Sequence, residues 1–128
     1  MRYSNIINEL FERFPNLLKS EEHYPESLEL PYYVFGYPML VKEVVKLLKN
    51  GDNTSLLSEY FDFIEEMLNC EDRYVVELAT VGFVEDLTND DEIAELAQPF
   101  FGSQTQNAYE NVKEFWSGAW HPFGKKEG

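Results

Sequence analysis

A chain of 128 residues with 44% hydrophobic and 16% aromatic residues has enough apolar material for a folded core, which excludes a disordered acidic tail. Its net charge of -14 argues against direct binding of nucleic acids and anionic membrane surfaces, because both require lysine and arginine. No apolar run reaches the roughly 18 residues of a membrane span, and the acidic N-terminus does not resemble a signal peptide, so we expect a cytoplasmic protein.

The negative charge is concentrated between residues 50 and 112. This segment holds fifteen of the 24 acidic residues and one of the 10 basic residues, Arg73, whereas the rest of the chain is balanced. Like charges on one helix face cost roughly 0.2 to 0.5 kcal/mol per pair. A concentrated negative field attracts a basic partner or keeps a protein soluble, and both uses stay open on charge alone.

Hydrophobic periodicity predicts a single all-α domain over residues 1–119. Apolar residues at helical spacing predict a first helix over residues 4–14, followed by an irregular, proline-containing connection over residues 15–37. A second helix is predicted over residues 38–50. A third, over residues 54–68, has one apolar face and one acidic face without any base.

Residues 72–87 are apolar on two sides, which predicts a central helix. One of its predicted faces consists of Tyr74, Val75, Leu78, Val81 and Gly82. A β-hairpin over residues 74–84 is the alternative, because Val, Tyr and Thr favour strands. A glycine inside a helix is unfavourable, so Gly82 predicts the close approach of an aromatic ring such as that of Tyr60 or Phe115.

Two capping boxes predict the last helices. Asn89 with Glu92, and Ser103 with Gln106, each place Glu or Gln three residues after a short polar side chain. Residues 120–128 are expected to form a partly disordered tail. The five to six helices predict an irregular bundle or two stacked helical hairpins.

The chain lacks the residue patterns of a catalytic or metal site. His23 and His121 have no partner at metal-ligand spacing, the Glu-x-x-His pattern of helical di-metal sites is missing, and no glycine pattern resembles a phosphate loop. Cys70 is the single cysteine, and its acidic neighbours disfavour a reactive thiolate. We therefore expect a binding protein, not an enzyme, with no cofactor, metal or small-molecule substrate.

A resemblance to a known class of protein is carried by residues 56–87, which read LLSEYFDFIEEMLNCEDRYVVELATVGFVEDL. The segment resembles small acidic α-helical immunity proteins of bacterial toxin systems, including contact-dependent growth inhibition and related polymorphic toxins. In these, an amphipathic helix with a Phe-Ile-Glu-type ending is followed by an acidic break and a valine-rich helix, which ends here in Phe83-Val84-Glu85. The resemblance covers about a quarter of the chain. It implies binding to a cognate toxin, often a basic nuclease, whose active site or substrate channel is blocked.

Charge and resemblance together predict an immunity protein that neutralises a basic toxin domain through an acidic surface. The expected contact residues are acids of the third helix and of helix ends, with aromatic anchors beside them: Glu59, Asp62, Glu65, Glu66, Glu71, Asp72, Asp90, Asp91, Tyr32, Tyr33, Phe63 and Trp120. For Phe63, at the boundary between the two helix faces, burial in the core is the alternative. The other functions considered are a non-catalytic adaptor or scaffold with another basic partner, and a small enzyme that uses carboxylates and a metal.

Overall fold

A computed structural model describes residues 1–19 and 25–117 of the chain. These residues fold into helices, and no strand occurs among them. The prediction of an all-α fold is therefore confirmed. The predicted tail over residues 120–128 lies outside the described residues.

The helices of the described part are labelled α1 to α7 in chain order. They are α1 (Ile6–Arg13), the single turn α2 (Pro31–Val34), α3 (Leu40–Asn50), α4 (Thr54–Asn69), α5, α6 (Asp91–Ala97) and α7 (Ser103–Ser117). Helix α5 is one continuous helical run with three consecutive parts, Arg73–Glu77, Leu78–Glu85 and Asp86–Thr88. Short 3-10 turns occur at Tyr3–Asn5, Pro15–Leu18, Ser27–Glu29 and Gln98–Phe100.

Helices α4 and α5 lie at the centre of the assembly. Helix α4 packs against α3, α5 and α7, and α5 packs against α2, α6 and α7 as well. Both central helices are rich in buried apolar residues, since each has neighbours on more than one side. The smaller elements pack around these two helices.

Helix α5 confirms the helical prediction for residues 72–87 over the hairpin, but its middle part, Leu78–Glu85, is π-helical. A π-helix closes its turns between residues five apart, so its turns are wider than those of an α-helix. Leu78 and Gly82 are buried as predicted, whereas Tyr74 and Val81 are 54% and 44% exposed. The prediction that these two residues belong to a buried face was wrong. Val81 lies in the π-helical part, where the assumed α-helical period does not hold, whereas Tyr74 lies in the α-helical first part of α5, where its ring contacts Tyr3 at the surface.

The buried face of α4 is aromatic and joins several elements. The Phe61 ring lies 5.8 Å from the Phe83 ring of α5 and 5.8 Å from the Phe100 ring in the turn before α7. On the side toward α1, Phe63 contacts Phe14, with ring centroids 6.0 Å apart. Aromatic contacts therefore fix α4 relative to both ends of the fold.

Tyr60 is a fully buried polar residue of α4 whose hydroxyl is hydrogen-bonded. The Asn16 amide donates to the hydroxyl oxygen at 2.9 Å, and the hydroxyl donates to Glu43 Oε2 at 3.3 Å. Burial, reinforced by the charge of Glu43 and opposed by the Asn16 bond, raises the pKa of Tyr60 to about 12. The hydroxyl therefore stays protonated and connects α4 to α3 and to the segment after α1.

Helix α6 begins one residue later than the predicted capping box implies. Asp90 is the N-cap, because its Oδ1 accepts hydrogen bonds from the backbone N–H of Glu92 at 2.9 Å and of Ile93 at 3.4 Å. Asp90 has the extended backbone that an N-cap requires, with φ -99° and ψ 120°, whereas Asn89 is still helical at the end of α5. The prediction of Asn89 as the cap was therefore wrong.

Candidate functional site: an acidic groove between α1 and α4

A surface groove of about 280 Å³ runs where α1 faces α4. Its walls are formed by Glu9, Glu12 and Arg13 of α1, and Phe63 of α4 lies at its floor. Ile6 and Leu10 lie on the opposite face of α1 and are buried in the core. The charged residues of this helix therefore face the groove and solvent. The amphipathic pattern of α1 thus places two carboxylates beside the acidic face of α4.

One guanidinium group stands among the carboxylates of this groove. Arg13 Nη2 lies 2.8 Å from Glu66 Oε1, and Nη1 donates to Oε2 at 3.2 Å, which makes a bidentate ion pair between α1 and α4. The hydrogen bonds that Arg13 donates to Glu66 raise the pKa of Arg13, and the charges of Glu66, Glu9 and Asp62 raise it further. Three carboxylates, those of Glu9, Asp62 and Glu66, therefore act on one cation, and Glu12 lines the same groove, so the groove is negative overall.

The acidic character continues along α4. Glu59, Asp62 and Glu66 are exposed and recur at a spacing of three and four residues, so they form one stripe on the helix surface. We call the set Glu9, Glu12, Glu59, Asp62 and Glu66 the acidic groove. Three of these five residues are among the predicted contact residues, and the structure brings them together with two that were not predicted.

Glu9 and Glu12 were missed because the N-terminal half of the chain is balanced in charge. Their signal is visible in the spacing of α1, where both residues lie away from the stripe formed by Ile6 and Leu10. That α1 lies beside α4 depends on long-range packing, including the Phe14 and Phe63 contact, and no local pattern indicates it.

Glu65 has a different role from the one predicted. Its carboxylate accepts hydrogen bonds from the backbone N–H of Gln104 at 2.8 Å and of Thr105 at 3.0 Å, and from the Thr105 hydroxyl at 2.8 Å. Burial alone would raise the pKa of Glu65, but these hydrogen bonds outweigh it and lower the pKa. Glu65 thus caps the N-terminus of α7 from another helix, which corrects both its assignment to the contact surface and the predicted capping box at Ser103.

Two more of the predicted contact acids are helix caps. Asp72 precedes α5, and its Oδ1 accepts a hydrogen bond from the Tyr74 backbone N–H at 2.9 Å; Asp90 caps α6 as described above. Their carboxylates are used within the fold, so we remove them from the candidate site. Glu71 and Asp91 are exposed, and Asp91 lies in a separate groove of about 350 Å³ beside Tyr109.

The predicted aromatic anchors lie in several places. Phe63 is fully buried, its ring 6.3 Å from that of Phe35, and the Arg13 guanidinium covers it at 4.9 Å. The prediction of Phe63 as an exposed anchor was wrong, since α1 covers this boundary position. Tyr33 is half-buried against the core and Tyr32 is 43% exposed, but neither lines the acidic groove. Trp120 lies outside the described residues.

The geometry thus defines an all-α domain with a negatively charged surface groove. The chain belongs to the family described as "Domain of unknown function (DUF7674)", whose model matches residues 7–117. No curated protein and no solved structure matches the chain. Within the described residues, no helix is long and apolar enough to cross a membrane, and no three His, Cys, Asp or Glu side chains are placed to hold a metal ion.

Proposed function

We propose that this domain is an immunity protein that binds a basic toxin domain through the acidic groove and neutralises it in the cytoplasm. The observation that carries the proposal is the arrangement of three carboxylates from α1 and α4 about the guanidinium of Arg13, with a fourth, Glu12, lining the same groove. A surface with this excess of negative charge attracts lysine- and arginine-rich proteins and repels nucleic acids and other acidic proteins.

The location of the groove relative to the sequence resemblance gives additional support. Helix α4 supplies Glu59, Asp62 and Glu66, and it lies within residues 56–87 apart from its first turn. In the proposed mechanism the groove field accelerates encounter with the basic toxin. Contacts formed after docking, including those of aromatic side chains outside the groove, then slow dissociation.

The rigid core beneath the groove supports a preformed binding surface. Phe63 lies between Phe14 and Phe35 below the carboxylates, and the Arg13 ion pair joins the two helices above it. A partner therefore meets carboxylates that are already in position, which limits the ordering cost of binding.

The proposal requires a toxin gene beside the gene of this protein, and the product of that gene is the partner for the test. The variant Glu12→Lys/Asp62→Lys inverts two exposed groove charges and leaves the Glu66 and Arg13 pair intact. A matched control, Glu95→Lys/Glu110→Lys, makes the same charge change on α6 and α7. Association with the toxin domain is measured by stopped-flow fluorescence at low and at physiological salt, and protection is measured as growth of cells that express the toxin.

We expect the groove variant to slow association by about tenfold or more at low salt and to weaken its salt dependence, while the control changes it much less. Protection of the cells should likewise fall more in the groove variant than in the control. Equal effects of the two variants would show that the net charge of the protein, and not the acidic groove, determines the association rate. If a basic protein that is not a toxin binds with the same dependence on the groove charges, the adaptor alternative would replace the immunity proposal.

A further inference from the structure

Three tyrosines from separate elements meet on a surface distinct from the acidic groove. Tyr3 lies in the first 3-10 turn, Tyr32 in α2 and Tyr74 at the start of α5. The rings of Tyr3 and Tyr74 have centroids 6.0 Å apart with planes inclined at 54°. Tyr32 and Tyr74 are 43% and 54% exposed, which is high for aromatic residues. We call these three residues, with Glu77, the tyrosine cluster.

Asp72 holds two of these tyrosines in place through their backbones. Its Oδ2 accepts a hydrogen bond from the Tyr3 N–H at 2.8 Å, and its Oδ1 accepts one from the Tyr74 N–H at 2.9 Å. The hydrogen bonds from Tyr3 and Tyr74 lower the pKa of Asp72, against a smaller effect of burial. One carboxylate thus joins the N-terminal turn to α5 and fixes the separation of the two rings.

Tyr32 is positioned by Gly82 in the π-helical part of α5. A Cβ atom at Gly82 would lie 3.0 Å from Tyr32 Cδ1 and 3.3 Å from Cε1, so the ring occupies the space that a side chain would need. Gly82 therefore does permit the close approach of an aromatic ring, but the ring is Tyr32 and not Tyr60 or Phe115. The contact holds the exposed Tyr32 ring in one orientation. Ordering an exposed side chain costs conformational entropy, and here that cost is already met in the folded chain.

Glu77 provides a negative charge at this cluster. Burial, and after it the charge of Glu77, raises the pKa of both Tyr3 and Tyr32, so the carboxylate is electrostatically close to both hydroxyls. In the part of the chain that the structure describes, no basic side chain forms an ion pair with Glu77. Both hydroxyls stay protonated, and the ring faces add their own negative potential to that of the carboxylate.

One ring of the cluster already contacts a guanidinium group. The guanidinium carbon of Arg73 lies 5.3 Å from the centroid of the Tyr74 ring, within the range of a cation–π contact. A cavity of about 360 Å³ adjoins the cluster at Tyr3, and the rest of its lining combines apolar side chains with polar groups and a second carboxylate: Ser4, Ile7, Asn8, Leu28, Glu29 and Pro31. The cavity therefore gives space beside the Tyr3 ring, with the Glu29 carboxylate in the same lining.

We propose that the tyrosine cluster binds an arginine side chain presented by a partner protein. A planar guanidinium stacks on aromatic rings and pairs with a carboxylate at the same time, and it loses less hydration than a lysine ammonium group. The carboxylates of Glu77 and Glu29 disfavour phosphate groups, so the surface suits an arginine of a basic protein and not a nucleic acid. This site does not depend on the acidic groove or on the identity of the partner as a toxin.

The proposal is tested by NMR titration of the full chain with the peptide acetyl-Gly-Arg-Gly-amide. The same peptide with citrulline in place of arginine keeps the shape and removes the charge, and a lysine peptide keeps the charge and removes the planar group. We expect saturable shift changes at the backbone amides of Tyr3, Tyr32, Tyr74 and Glu77 with the arginine peptide. The lysine peptide should bind more weakly, and the citrulline peptide should produce no saturable change.

Variants at exposed positions separate the contributions to binding. Tyr74→Leu should weaken arginine-peptide binding about two- to fivefold, whereas Tyr74→Phe, which keeps the ring, should bind as the wild type does. Glu77→Gln should weaken binding about fivefold, and Glu95→Gln, the same charge change at an exposed position of α6 outside both sites, should leave it unchanged. Arg73→Ala should strengthen binding, because it removes a competing cation.

Two results would overturn the proposal. One is a saturable response of the cluster to the citrulline peptide that equals the response to the arginine peptide. The other is a titration in which the arginine peptide shifts only the amides of the acidic groove. Neither result bears on whether the groove binds a toxin, so the two proposals fail independently.

Discussion

Glu65 and Glu66 are neighbours on α4, yet they face different helices. Glu65 faces α7 and accepts three hydrogen bonds from its first turn, whereas Glu66 faces α1 and holds Arg13 at the open edge of the acidic groove. The side toward α7 uses its carboxylate to complete another helix. The side toward α1 leaves its carboxylates available to a partner. The role of an acidic residue in this segment thus depends on whether a helix N-terminus lies within its reach.

The same distinction applies beyond α4. Asp72 and Asp90 satisfy backbone N–H groups at the starts of α5 and α6, in the manner of Glu65 at α7. Part of the excess acidity of residues 50–112 is therefore structural, since helix N-termini favour negative charge. The acids that do not cap a helix are mostly exposed, and in the acidic groove those of α4 are joined by two more from α1.

The largest change is expected at the residue that separates the two sides of α4. Phe63 is fully buried beneath the groove, so Phe63→Ala should lower the free energy of unfolding by about 3 to 5 kcal/mol. Urea denaturation followed by circular dichroism measures this loss. Tyr37→Ala, at a position that is 67% exposed, is the control and should change stability by no more than about 0.5 kcal/mol. A small loss for Phe63→Ala would show that the groove has no fixed floor.

The second prediction compares the two glutamates directly. Glu65→Gln keeps the size of the side chain but removes the charged acceptor of several hydrogen bonds. It should therefore lower the free energy of unfolding by about 1 to 3 kcal/mol. Glu66→Gln loses one exposed ion pair and should cost about 0 to 1 kcal/mol. Denaturation of both variants in the same buffer measures the difference. Equal losses would contradict the assignment of Glu65 to α7 and Glu66 to the surface.

The third prediction uses pH to isolate the Glu65 contribution. Because the folded-state pKa of Glu65 lies below its ordinary value of 4.5, the native state favours the charged carboxylate. Its stabilising effect is present above about pH 4.5 and is lost as the pH falls through the lowered folded-state pKa. The stability difference between the wild type and Glu65→Gln should therefore shrink in acid. Carbon NMR of the Glu65 carboxyl gives the pKa directly, and an upward shift would contradict the prediction.

Much of the fold followed from local patterns, whereas the contacts between elements did not. The periodic stripes of α1 and α4 predicted both helices nearly to their ends, and Pro15 marked the end of the first. The π-helical turns of α5 have no recognised sequence signal, so the exposure of Val81 could not be predicted from an α period. Tyr74 lies before these turns, and its exposure depends on which elements pack beside the start of α5.

The candidate site was predicted in part for the same reason. Glu59, Asp62 and Glu66 follow from the acidic stripe of one helix, which is a local property. The joining of Glu9 and Glu12 to that stripe, and the withdrawal of Glu65 from it, depend on which helices pack together. Gly102 illustrates the limit, because a Cβ atom there would lie 2.6 Å from the Glu65 carboxyl carbon, and only the folded chain reveals this contact.

The smallest effect is expected where the groove carboxylates have no structural task. Asp62 is exposed, and its charge acts on Arg13 across the groove without a direct hydrogen bond among the described residues. Asp62→Lys removes repulsion from Glu59 and Glu66 but adds repulsion to Arg13, so the terms largely cancel. We expect stability to change by no more than about 0.5 kcal/mol, and added salt should reduce the change further, because the charges involved are exposed. Denaturation at two salt concentrations measures the change. A loss above about 1 kcal/mol would show that Asp62 also stabilises the fold. The exposed carboxylates of α4 could then no longer be distinguished from structural ones such as Glu65.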